Sequence, residues 1–252
     1  MMVLLATAMS GCGLPTLRTN PDAGPGPIRS EAIFDHGAFD TLLRRHVDAE
    51  GLVDHDGLAA DRTLLVGYLN RLAEVDPNLL GTPEEQRAFW INAWNASMLF
   101  GLLHWQPRAS MDELPGIGAA VTTRCGGHWW TLDEMRDRVL RTSGDPRVLL
   151  ALGDGRRAGP RLLAEAYTGA RLDELLTAQC REFVADGRKV RIDDANHRVA
   201  AAPPLSTFAA DFAGAPWYGV SGFIAHHALP REWLRQPFPV DPLPVDGALN
   251  RR

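Results

Sequence analysis

Cysteine is scarce in this chain, with three in 252 residues. Cys12, Cys125 and Cys180 lie so far apart that no two have zinc-ligand spacing, and the eight histidines are scattered. His226 and His227 are neighbours and cannot face one way on a helix. Both facts argue against a metal site of the Cys/His type. Net positive charge is lacking too: 26 Lys and Arg against 31 Asp and Glu leave −5. That argues against nucleic acid as a partner and against a surface built for anionic lipid. There are no internal repeats and no coiled-coil heptads, and nothing calls for a cofactor or a metal.

What is present begins with an address. Met1 to Gly11, MMVLLATAMSG, is uncharged and mostly apolar. It is too short for a membrane span, which takes about 20 residues, and it closes on small residues like a secretory h-region. Ser10-Gly11-Cys12 resembles a bacterial lipobox, whose cysteine is diacylated and becomes the mature N-terminus. There are two departures: no Lys or Arg precedes the apolar run, and Met9 replaces the usual leucine or valine. Gly13 is not the aspartate that resembles an inner-membrane retention signal. The expectation is lipidation at Cys12 and a place in the bacterial cell envelope, on the outer membrane facing the periplasm. The alternative is a cytosolic chain with an apolar start. In an oxidising periplasm Cys125 and Cys180 are able to form one disulfide, and the sequence leaves their pairing open.

The rest divides by composition. Residues 13–30 are rich in Pro and Gly and read as a tether. Residues 31–237 suit one domain. Residues 238–252 form a tail; Gln236 to Gly247 holds four prolines and reads as extended along the surface or disordered. Helical spacing marks Ala38 to Val47, Asp61 to Glu74 and Leu172 to Ala185. Thr82, Pro83 and Glu85 form the start of a helix, and Thr131 to Glu134 repeats that logic for one running to about Arg141. Arg147 to Leu152 reads as a short buried strand. Lys189 to Ile192 and Arg198 to Ala201 read as a hairpin. The fold class is α+β, a helix-rich single domain with a small, mainly antiparallel sheet.

The richest segment is Ala88 to Trp105, AFWINAWNASMLFGLLHW. It is apolar around nearly every face, as a buried helix is. Asn92 and Asn95 sit in its middle at i, i+3. A buried amide left without partners costs about 1–3 kcal/mol, so both must join a polar network or face a pocket. Two readings stay open: they organise a ligand site, or they tie loops to the core.

These elements, in this order, resemble a known family. Ala88-Phe89-Trp90-Ile91-Asn92-Ala93-Trp94-Asn95-Ala96 is similar to the signature FWINAYNA of domain of unknown function 547, with Trp94 in place of tyrosine. Gly51-Leu52-Val53-Asp54 with Gly57-Leu58, Gly126-Gly127, and Val139-Leu140-Arg141 resemble its other blocks. So do Asp145-Pro146-Arg147, Ala151-Leu152, Pro160, Ala166-Tyr167 and Asp211-Phe212. The departures matter more. Where the family shows histidines this chain has Asp137 and Leu149, and where it shows cysteines this chain has Asp154 and Gly159. A His and a Cys so placed suit thiolate chemistry, and the resemblance implies a cysteine-protease-like or transglutaminase-like arrangement that this chain lacks the residues to run.

Three candidate sites follow. Cys125 and His128 flank a Gly-Gly turn and would serve as a relocated nucleophile and base; the plainer reading is a packed thiol and a surface imidazole. Asp137 and Asp154 would bring two carboxylates together if the family's positions converge, sharing a proton or holding a hard cation; the plainer reading has Asp137 paired with Arg141 one turn later. Arg156 and Arg157 would give that loop a positive flank. Arg141 is expected in a structural ion pair. The functional expectation is a lipid-anchored, non-catalytic protein that binds a small molecule or an envelope protein through a cleft near Asn92, Asn95, Asp137 and Asp154. The alternative is a hydrolase or acyl-transfer enzyme with a rebuilt site.

Overall fold

A computed structural model describes residues 13–23, 28–236, 238–244 and 246–252. The expected lipidation site, Cys12, and the apolar segment before it lie outside the described residues. Strand β1 (Leu17–Arg18) precedes three helices, α1 (Gly37–His46), α2 (His55–Ala60) and α3 (Arg62–Leu72). The long helix α4 (Pro83–Trp105) follows, with Thr82 as its N-cap accepting from the Glu85 amide at 3.1 Å. After the short α5 (Ile117–Ala120) comes the hairpin β2 (Val121–Cys125) and β3 (His128–Thr131), then α6 (Leu132–Glu134). Helix α7 (Leu172–Ala185) leads to β4 (Val190–Asp193), β5 (Arg198–Ala201), α8 (Val220–His227) and β6 (Val240–Pro242). The fold is α+β and helix-rich.

The strands form two small sheets rather than one, each with three strands. In the first, β2 pairs antiparallel with β3 and parallel with β1. In the second, β5 pairs antiparallel with β4 and parallel with β6. The expected hairpin over Lys189 to Ala201 is therefore present, but each sheet is completed by a segment read from sequence as tether or tail. Beside β1, Thr19 and Asn20 are buried. The Asn20 side chain donates to the carbonyls of Leu69 (2.8 Å) and Arg124 (3.1 Å) and accepts from the Arg124 amide at 2.9 Å. Pro and Gly density marks a chain that makes no helix of its own; it says nothing of a segment satisfied by neighbours.

Two hydrophobic clusters share the interior. The larger surrounds α4, whose residues from Ala88 to Leu103 are all buried. The smaller lies under α7, α8 and the second sheet. Arg147 to Leu152 runs between them, and here a strand was expected. The chain instead makes a 3₁₀ turn over Pro146–Ala151, started by Asp145, whose carboxylate caps the Arg147 amide, with Pro146 at the first position. Three residues per turn place Val148 and Ala151 in one cluster while Leu149 and Leu150 enter the other. A strand would need a partner for its carbonyls; here side-chain amides of Asn95 and Gln179 take two of them.

The helix expected from Thr131 to Arg141 is also modified. Thr131 and Glu134 make a complete capping box. Past Glu134 the chain widens into a π-helix over Met135–Leu140 and then tightens to 3₁₀ over Arg141–Ser143. Cys125 belongs to the larger cluster and Cys180 to the smaller, both as free, buried thiols. The disulfide left open by the sequence is not formed.

Candidate functional site

Helix α4 does two jobs on two faces. On one, Asn92 and Asn95 are fully buried and act as two-pronged clamps on backbone. Asn92 Nδ2 donates to the Tyr167 carbonyl at 2.7 Å while its Oδ1 accepts from the Tyr167 amide at 3.0 Å. Asn95 Nδ2 donates to the Ala151 carbonyl at 2.9 Å, and its Oδ1 accepts from the Gly153 amide at 2.9 Å. Gln179 of α7 adds a bond to the Leu150 carbonyl at 3.3 Å. Asn95 and Gln179 thus hold the turn that leads to Asp154, Asn92 holds the chain at Tyr167, and neither asparagine lines the cleft at Trp94. Of the two readings open from sequence, the structure supports the tie to the core.

On the other face, Trp94 and Met98, one turn apart, form the wall of a cleft of about 240 Å³ between the two clusters. Met111, Ile117, Leu149 and Leu152 complete its apolar lining, with Pro203, Pro204, Thr207 and Phe208 on the opposite side. Trp94 Nε1 donates to the Leu132 carbonyl at 3.0 Å, which fixes the ring. Two acid–base pairs edge this lining. Arg136 bonds Asp133 at 2.9 Å, and Arg156 reaches Asp154 at 3.3 Å. The Asp154 carboxylate also accepts from the Arg156 amide at 3.0 Å. Its side chain, which lines the cleft, retains 32 % exposure. Desolvation there raises its pKa, against the pull of Arg156.

The expected carboxylate pair therefore changes partner. Asp137 does not line the cleft: its oxygens accept from Arg136 Nε and Nη2, both at 2.8 Å, and from Arg141 Nη1 at 3.2 Å. Those guanidiniums, Arg136 first, hold its pKa below the usual range. The second carboxylate of the cleft is Asp133, one turn earlier. In the sequence it lies inside the helix-start stretch Thr131 to Glu134, and no motif sets it apart. Arg141 fulfils its structural role, but with a further partner. It grips Asp211 through Nε (2.6 Å) and Nη2 (2.9 Å) and stacks over Phe208 at 4.5 Å. The π-helix brings it there and ties the cleft's two sides.

Three of the family's pattern positions converge, and Asp137 is not among them. Trp94, Leu149 and Asp154, which stand where the pattern shows Tyr, His and Cys, all line the cleft. Gly159, the second cysteine position, lies against Asp154 so closely that any side chain there would collide with the carboxylate. The Cys125/His128 pair has no such place. Cys125 is 1 % exposed and burial pushes its thiol far above the ordinary value, while His128 is exposed. Cys180 is pushed up to about 12 for the same reason. Neither thiol is set up as a thiolate nucleophile. Among the described residues no group of three or more metal-binding side chains occurs, and no helix is long and apolar enough to cross a membrane.

The model of the family described as Protein of unknown function, DUF547, matches residues 79–184, from the lead-in of α4 almost to the end of α7. Over this segment the match supports membership of that family. No curated protein and no solved structure matches the chain.

Proposed function

Taking membership of the DUF547 family as the premise, we propose that this protein is a binding member anchored in the bacterial cell envelope through lipid at Cys12. Its ligand is a small, mainly apolar molecule, uncharged or zwitterionic, held in the cleft around Trp94. The observation that carries the reading is the fate of the family's cleft. The space is open and apolar, its pattern positions hold Leu149 and Asp154, and both arginines at its edge already face carboxylates. A cleft with its charges paired and apolar walls favours occupancy by shape and desolvation.

The test is a thermal-shift screen of the soluble chain from residue 13 with small neutral and zwitterionic amphiphiles. A ligand present at about 100 times its Kd stabilises the fold by about 2.7 kcal/mol. Thr207→Trp, at an exposed position of the rim, is expected to cancel that shift without altering the unliganded melt. Shifts that survive Thr207→Trp would remove the cleft from consideration. Anchoring is read separately in the full chain. Cys12→Ser is expected to abolish incorporation of a labelled fatty acid and to release the protein from membranes. Equal labelling of both forms would overturn the anchor.

One observation favours a second reading. A carboxyl with a raised pKa, Asp154, in the same cleft as a second carboxylate, Asp133, is what an acid–base enzyme needs. Turnover of a hydrolase substrate that is lost in Asp154→Asn, with the melt unchanged, would establish it in place of binding alone.

A further inference from the structure

Beyond the apolar cleft, on the far side of Arg156 and Pro160, lies a pocket of about 100 Å³ with a different chemistry. Its wall comes from four parts of the chain: the loop at Gly51, the loop 156–161, the turn after α7, and the tail. Five cationic side chains line it: Arg156, Arg157, Arg161, Arg188 and Lys189. Three are engaged by carboxylates. Arg156 is held by Asp154 and Asp112, Arg188 by Asp186 at 2.7 Å, and Lys189 by Glu182 at 2.9 Å. Arg157 and Arg161 have no carboxylate partner among the described residues, and the lining holds one acid, Glu50.

Two polar atoms of these walls are buried without partners. Arg161 donates through Nη1 to the Ala49 carbonyl, yet its Nε has no acceptor. Asn250 is 6 % exposed; its Nδ2 donates to the Gly51 carbonyl at 3.3 Å, which fixes the amide and leaves Oδ1 without a donor. Buried polar atoms are seldom left unpaired, because each costs about 1–3 kcal/mol. The pair of orphans is complementary, one donor and one acceptor. An oxyanion answers Arg157 and Arg161, and only an oxyanion that still carries a proton also answers Asn250 Oδ1.

We propose that this pocket binds a protonated phosphoryl group, as hydrogen phosphate or the monoanion of a phosphomonoester. Sulfate has the same shape and no O–H at neutral pH, so it cannot serve Asn250. The site does not depend on what occupies the cleft, although the shared wall places both within reach of one ligand.

The test is isothermal titration of the soluble chain with inorganic phosphate and, separately, with sulfate. Saturable phosphate binding is expected, with sulfate clearly weaker. Arg157→Gln with Arg161→Gln is expected to weaken phosphate binding about tenfold or more, since each removes a charge-assisted hydrogen bond. Arg157→Gln alone, at an exposed position, serves if the double variant does not fold. Thr207→Trp should leave phosphate binding as it is. Co-sedimentation with phosphatidylcholine vesicles, with and without phosphatidic acid, separates the sources. Retention by phosphatidic acid that is lost in the arginine variants assigns a lipid headgroup, and titration by free phosphate assigns a soluble ligand. No binding of either, equal binding of sulfate and phosphate, or binding indifferent to both arginines would overturn the proposal.

Discussion

Asn95→Ala is expected to lower the stability of the fold by about 2–6 kcal/mol, because it strands two buried backbone groups at about 1–3 kcal/mol each. The Ala151 carbonyl and the Gly153 amide have the Asn95 side chain as their partner, and at 2 % exposure no water reaches the gap. The 3₁₀ turn between the clusters has no strand beside it to take over those bonds. A shift of the urea midpoint at constant slope would report this directly. Asn92→Ala should cost a similar amount at Tyr167. A loss below about 1 kcal/mol at Asn95, a single exposed hydrogen bond's worth, would mean that the clamp is not what holds the turn.

Removing residues 238–252 is expected to do more, and to leave no cooperatively folded protein. This segment supplies β6 to the second sheet and buries Leu243 and Leu249. Its backbone is bonded along its length. Met111 donates to Gly247 (2.8 Å), Arg157 to Ala248 (2.9 Å), Leu249 to Ala109 (3.0 Å), Asn250 to Gly155 (2.9 Å) and Val53 to Asn250 (2.7 Å). Two buried leucines contribute about 1.5–3 kcal/mol each, before any orphaned amide is counted. That approaches the whole stability of an ordinary domain, about 5–15 kcal/mol. Leu249→Ala is the milder form, expected to cost about 2–5 kcal/mol. A truncated chain with a sharp melt near that of the full one would show the tail to be decoration.

The sequence was legible where one element carries its own signal. Thr82 and Pro83 start α4 where capping chemistry puts them, and α7 spans the residues its spacing marks. It was least legible where satisfaction comes from elsewhere. Arg147 to Leu152 reads as a strand because a buried apolar run with no period fits one. Nothing local shows that Asn95 and Gln179, 56 and 29 residues away, supply its hydrogen bonds. The same holds for β1 and β6, each two or three residues long and defined by its partner. At the cleft, the departures from the family pattern at Leu149 and Asp154 fall on residues that line it. Asp137 did not, because the π-helix turns it onto Arg136 and Arg141 and leaves Asp133 to face the space.

Docking of β1 bears on how an acylated chain would meet a bilayer. Four residues separate Cys12 from Leu17, so five steps of about 3.4 Å give a reach of about 17 Å at full stretch. A free run to residue 30 would allow several times that. Acyl chains at Cys12 would therefore work as a mooring that fixes one face of the protein to the headgroups, not as a leash on which it swings. The face that such an anchor would moor carries Arg18, whose guanidinium lies 5.0 Å from the ring of Trp129, itself 37 % exposed. An indole with a cation against it suits the headgroup layer, where an apolar body and a polar edge are both served.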